Sequence, residues 1–390
     1  MRNTPGNPAR GEDFWDRKDL IEKIWKSLER GSILLIAPRR FGKTSLMLKI
    51  HDESKKGWRP IFVDVEGMSA PEEFIVDLLE RVAEKQGKSL LEKVGDFLGK
   101  ITRKIEEVGV ENIRIKLRES LKTEWKKRGK DLFRKVLERD IRYIMLIDEL
   151  PLMLRKFPQK KIAGEFLHWL RSIRQEPEIC EKVRWVFGSS IGFHSIIREL
   201  GVTSNVINDL QPIPVLELST KEAERMVREI LKEELNIKRI KKEVMNHIFK
   251  KIGYPVPFFL QILLCSLITL YKQEGRLTSE IIDKAYTDLL KPWNRSYFEH
   301  FRERLEKYYE PQLAEIVKRM LSLIAYKGET SKQELFNFFV GQYQQGAIHL
   351  FDLVISDLEN DFYISKDKDV YQFTSNVLRD WWIRYYGWRE

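Results

Sequence analysis

The sequence predicts an α/β domain built on a parallel sheet with helices on both faces, then an all-helical domain, then a winged helix. Three observations predict it. Short apolar runs alternate with helical stretches over residues 1–215. Beyond Leu218 strand signals stop, and residues 216–308 read as helices alone. Residues 309–390 then read as three helices followed by a hairpin, the layout of a winged helix-turn-helix.

In chain order, residues 19–28 place Leu20, Ile21, Ile24, Trp25 and Leu28 at helical spacing, and Gly31 ends that helix. The runs 33–36, 61–63, 144–147 and 183–187 are short and apolar, Arg184 in the last apart, as strands buried on both faces are. Helical stretches such as 72–84 and 165–173 separate them. In the second domain Ser219 and Glu222 form a capping box ahead of Ala223, Met226, Val227, Ile230 and Leu231. Helices are expected at 242–251, 257–271, 279–290 and 296–309. In the third, a helix over 312–325 precedes Gly328, and Thr330 with Gln333 is expected to cap a second. A third helix covers 347–359, and 362–364 with 370–373 form the hairpin around a charged turn.

A chain of 390 residues holds two or three domains, with 43% hydrophobic and 33% charged residues. Collagen-like, low-complexity and disordered classes are thereby excluded. Two cysteines, Cys180 and Cys265, and no Cys-x-x-Cys or His-x-x-x-His leave neither a disulfide framework nor a structural zinc site. The start has no apolar core of a signal peptide. Residues 252–271 carry no charge, but Pro255 and Pro257 leave a helix of about 21 Å, short of a bilayer core of about 30 Å. A soluble, cytoplasmic protein with no membrane partner is expected.

Chemistry concentrates at Ala37-Pro38-Arg39-Arg40-Phe41-Gly42-Lys43-Thr44, with Ser45 following. This run joins a strand to a helix and matches the phosphate-binding pattern G-x-x-x-x-G-K-[ST], with Ala at the first glycine. Amides at a helix N-terminus cradle phosphate, Lys43 meets the β/γ-phosphates and Thr44 offers a hydroxyl to Mg²⁺. The second signal is an apolar strand running into Asp148-Glu149. Adjacent acids at a buried strand end repel and lose solvation, which a metal relieves. Asp148 then holds Mg²⁺ and Glu149 polarises the attacking water; a solvated turn is the plain alternative. Ser189 follows the strand at 183–187 and either senses the γ-phosphate or caps the next helix, with Ser190 as its rival. Asp64 is a weaker strand-end acid, and Arg198 is either an arginine finger or a surface residue.

Assembled, these residues resemble a prokaryotic P-loop ATPase of the AAA+/STAND group, most similar to archaeal-type ATPases related to origin-recognition and Cdc6 proteins. Residues 37–44 match Walker A, 144–149 match Walker B, and Gly188-Ser189 match the sensor-1 position. Phe14-Trp15-Asp16-Arg17 resembles the F-x-G-R element near the adenine, with Asp16 for Gly. Gly253-Tyr254-Pro255 resembles the G-x-P element of a helical lid. The resemblance implies ATP and Mg²⁺ as ligands, Arg17 and Pro255 as nucleotide contacts, 216–308 as the lid, and no clear sensor-2 arginine.

The net charge of +10 hints at a polyanion. Residues 311–390 carry 9 Lys+Arg against 11 Asp+Glu, net −2, and the third helix of the winged domain has Asp352, Asp357 and Glu359 but no Lys or Arg. It is a poor reader of DNA. Residues 100–142 carry 15 Lys+Arg against 8 Asp+Glu, net +7, in an insertion dense at 125–130. That insertion is either a solvated basic face or a surface for nucleic acid or an acidic partner. The expectation is a Mg-ATP-dependent switch or assembly ATPase, slow or partner-stimulated, acting on a protein partner or on its own copies. The alternative is a DNA-remodelling, replication-initiator-like ATPase using the insertion.

Overall fold

The computed structural model describes residues 2–15, 17–87, 110–137, 141–189, 193–343 and 347–387. Contacts divide the chain into two compact units, one of residues 17–37 and 43–215, the other of 1–16, 38–42 and 216–390.

The first unit runs α1 (Lys18–Arg30), β1 (Ile33–Ile36), α2 (Lys43–Asp52), β2 (Trp58–Asp64), α3 (Pro71–Lys85), α4 (Val110–Leu121) and α5 (Trp125–Val136). It continues through β3 (Arg142–Asp148), α6 (Leu150–Lys156), α7 (Lys160–Arg174), α8 (Pro177–Cys180), β4 (Val183–Ser189), α9 (Phe193–Glu199) and β5 (Gln211–Pro214). The five strands lie in the order β2-β3-β4-β1-β5, and every pairing is parallel. Successive strand residues point to opposite faces, yet Tyr143 through Ile147 are all fully buried, so both faces are covered. The four expected strands are present, three of them longer than their apolar cores. The fifth, β5, was not expected, because Pro212 and Pro214 argue against a strand. It lies at the sheet edge, where proline is tolerated.

The described part of the basic insertion is built into this unit. Leu132, Phe133 and Val136 of α5 are fully buried, and Gly129 lets α5 approach closely: a methyl there would meet Ile75 Cδ1 at 2.8 Å and Trp169 at 3.1 Å. Its cations face acids of the same unit. Arg114 binds Glu80, Lys126 binds Glu165 at 2.8 Å, and Lys130 and Arg134 share Glu176. Exposed pairs contribute about 0–1 kcal/mol each, against about 1.5–3 kcal/mol for each large apolar side chain buried. The apolar stripe therefore anchors α5, and the ion pairs offset part of the charge on its outer face. Residues 100–109 and 138–140 of the insertion lie outside the described residues.

The second unit contains α10 (Thr220–Leu235), α11 (Lys242–Ile252), α12 (Pro257–Glu274), α13 (Ser279–Leu289), a 3₁₀ turn at Pro292–Tyr297 and α14 (Glu299–Tyr308). Then follow α15 (Pro311–Lys327), β6 (Glu329–Ser331), α16 (Lys332–Gln342), α17 (Ala347–Asn360), β7 (Ile364–Asp367), β8 (Val370–Phe373) and α18 (Asn376–Tyr386). The capping box forms as expected, Ser219 accepting from the Glu222 N–H and Glu222 accepting from the Ser219 N–H. The apolar α12 is a core helix; among the described residues no helix is long and apolar enough to cross a membrane. The expected cap of α16 is displaced by one residue. Ser331 accepts from the Glu334 N–H, whereas Thr330 is buried in β6 opposite Tyr371. The last helix, α18, was not expected. Its Trp381 stacks on Phe298, which stacks on Phe259, in one buried aromatic column.

Candidate functional site

The site begins where the strands end. In register, Asp64, Asp148, Gly188 and Leu35 form one row across β2, β3, β4 and β1, and Ser189 lies beside Ile36 in the next. The carboxyl ends of parallel strands are the usual ligand-binding edge of an open α/β sheet. From β1 the chain passes through Ala37 to Gly42 and enters α2 at Lys43. Arg40 and Gly42 both adopt left-handed backbone, φ +77° and +84°.

Lys43 is only 5% exposed and holds both acids: its Nζ lies 3.5 Å from Asp148 Oδ1 and 3.3 Å from Glu149 Oε1. The Thr44 hydroxyl donates to Asp148 Oδ2 at 2.6 Å. Residues 148 and 149 would face opposite ways in a continuous strand. Glu149 instead takes φ +61°, and its N–H donates to Gly188 O at 2.9 Å. This turn brings both carboxylates to one lysine. Desolvation raises the Asp148 carboxyl above its ordinary range, with Glu149 and Asp64 adding to the rise and Lys43 and Thr44 opposing it.

That environment fits a hard divalent cation. Thr44 and Asp148 present adjacent oxygens, and a nearly buried carboxylate gains from a second positive neighbour. Among the described residues no group of three or more His, Cys, Asp or Glu could hold a metal unaided. Two protein oxygens suit Mg²⁺, which fills its shell with water and phosphate.

Of the other expected residues, Ser189 is buried at the end of β4, and Ser45 is half-buried on α2. Ala37 and Pro38 are buried, and Arg39 is exposed. Arg17 is buried at the start of α1. Pro255, in the other unit, accepts the Leu218 N–H at 3.2 Å. Asp64 accepts the Glu66 N–H at 3.0 Å, and Arg198 is exposed near the end of α9. Asp16 and Ser190 lie outside the described residues.

Gly188 has a role that sequence reading did not assign. A methyl there would meet Asp148 Oδ1 at 2.8 Å, Met47 Sδ at 2.9 Å and Lys43 Cε at 3.0 Å. A side chain there would push the Asp148 carboxylate and the Lys43 stem from the positions in which they meet. Gly188→Ala is expected to cost about 1–3 kcal/mol in stability, as overpacking does, and to weaken nucleotide binding. Thermal melts with a binding titration check this, and a wild-type value in both would refute the packing argument.

No family model matches the sequence, and no curated protein matches it. Among solved structures, the Walker-type ATPase PABY2304 of Pyrococcus abyssi is similar at 15% identity and TM-score 0.64, over 98% of this chain and 99% of that one. The Aeropyrum pernix ORC2 protein, in ADPNP–ADP complexes, is similar at 11% identity and TM-score 0.51, over 96% of this chain and 95% of that one. The chain shares the fold of these two proteins.

Proposed function

We propose that this chain binds Mg-ATP and hydrolyses it, slowly or under the control of a partner. The observation that carries the reading is the convergence of Lys43, Thr44, Asp148 and Glu149 at the carboxyl end of the sheet. The similar structures, one a Walker-type ATPase and one with ADPNP and ADP, support it. Loop amides and Lys43 would bind the phosphates, and Ser189 would lie near the γ-phosphate. Thr44 and Asp148 would hold Mg²⁺, which when bound neutralises charge on the β- and γ-phosphates. Lys43 would then exchange carboxylate neighbours for phosphate, freeing Glu149 to orient a water and accept its proton.

That cycle would serve one of two uses: control of a protein partner or of self-association, or action on DNA as a replication-initiator-like ATPase with the winged-helix-like region as an accessory. The likeness to ORC2 supports the second at least as well as the first. The ion pairs of α4 and α5 weigh against Arg114, Lys126, Lys130 and Arg134 as the contacts, since DNA would have to displace Glu80, Glu165 and Glu176 from them. On α17, Asp352 pairs with Lys332 at 2.7 Å, and the helix offers no cation of its own.

Steady-state ATP hydrolysis with and without duplex DNA, at low and physiological salt, tests this. Neither binding nor turnover under any condition would end the ATPase reading. Salt-sensitive stimulation selects the DNA-acting use, and a rate indifferent to DNA selects the partner-controlled one.

A further inference from the structure

We propose that Phe362, some 320 residues along the chain from it, is a positioning residue for the phosphate loop and acts through Phe41. The inference rests on the reading of residues 37–45 as the nucleotide site. Both residues belong to the same compact unit, which takes in Pro38–Gly42 as well as the C-terminal half of the chain.

Phosphate chemistry asks nothing of the side chain at position 41, because the cradle is made of backbone amides. Phe41 is nevertheless 2% exposed. Its ring meets that of Phe362 edge to face, with centroids 4.5 Å apart at 72°. The Tyr254 ring also meets Phe362, with centroids 6.5 Å apart and the planes perpendicular. The neighbouring Arg40 is held in the same way. Its guanidinium lies 4.3 Å over the Phe258 ring, and its Nη1 donates to Gly6 O at 3.5 Å. Two consecutive side chains of the loop are thus gripped from outside it.

The backbone of Phe362 is what marks it as more than core. Tyr363 N–H donates to Leu358 O at 2.9 Å, and Phe362 N–H donates to Glu359 O at 3.1 Å. These are the two bonds of a Schellman ending of α17, and Phe362 occupies its left-handed position at φ +67°. Glycine is the usual residue there, and a bulky side chain is strained. A sequence that keeps phenylalanine at such a place is retaining the ring, not the turn. Fixing Phe41 restrains a loop in which Arg40 and Gly42 already hold left-handed backbone, so its amides are arrayed before nucleotide arrives.

The test is a double-mutant cycle on the full chain, read by titration with a fluorescent ATP analogue. Phe41→Ala and Phe362→Ala are each expected to weaken binding by about three- to tenfold, the range of an aromatic pair. The double variant should be little worse than either single one. Phe362→Gly separates positioning from folding. It relieves the strained backbone, so melting temperature should hold while affinity falls, and Phe362→Tyr should restore affinity. Turnover at saturating ATP should stay near wild type with KM raised, because Phe362 touches no reacting atom. Independent, multiplying effects in the cycle, or unaltered affinity in Phe362→Gly, would overturn the proposal while leaving the nucleotide site standing. A wild-type chain that binds no analogue would overturn both.

Discussion

Lys43→Ala is expected to reduce ATP affinity by at least about a hundredfold, the loss of a charge-assisted contact to phosphate, and to lower stability as well. The second effect follows from burial. Lys43 is the shared cation of Asp148 and Glu149, at 3.5 and 3.3 Å. Removing it leaves two acids facing each other in a desolvated corner, and breaking a buried pair from one side costs about 3–5 kcal/mol. The two effects can be separated. Adding Asp148→Asn to Lys43→Ala should recover part of the melting temperature, because the more deeply buried of the two uncompensated charges is gone, without recovering binding. Should the double variant regain ATP affinity with stability, Lys43 would be a structural counter-ion and not a phosphate ligand. Retained affinity in the single variant would remove the loop assignment altogether.

For Glu149→Gln the expected loss is in turnover. The amide keeps the shape of the side chain and can still meet Lys43, so ATP binding should remain within a few-fold of wild type. A positioned base contributes about 10²–10⁴ to rate, and kcat should fall within that range. The backbone makes this substitution cleaner than Glu149→Ala, since Gln keeps the contact that accompanies the left-handed turn at φ +61°. A single-turnover assay with pre-bound ATP reads the chemical step alone. Wild-type turnover there would dismiss Glu149 as the base and leave it as a partner of Lys43.

Much of the site was legible because its signals are local. A phosphate loop is eight consecutive residues between a strand and a helix, and a strand-end pair of acids is two more; neither needs knowledge of what packs against it. The helices of residues 216–308 were legible through caps and apolar stripes. What escaped depends on partners far along the chain. Counted locally, residues 100–142 look like an unneutralised basic surface. Their acids, Glu80, Glu165 and Glu176, sit on or beside other helices. Thr330 and Ser331 are equally able caps, each with a Gln or Glu three residues on. Pairing of Thr330 with Tyr371 decided between them. The left-handed Phe362 could not be read at all, because residue chemistry argues against that conformation.

The edge strand β5 has a consequence for how copies of this chain can meet. Gln211 N–H and Val215 N–H donate inward, to Ser32 O and Ile36 O of the neighbouring segment. Alternation then points positions 212 and 214 outward, and both are proline. The β5 rim of the sheet lacks amide hydrogens at the places where a foreign strand would seek them. Two molecules cannot readily zip rim to rim through this strand, nor can it readily template fibrous stacking from here. A contact between copies at this rim would have to be written in side chains instead of backbone.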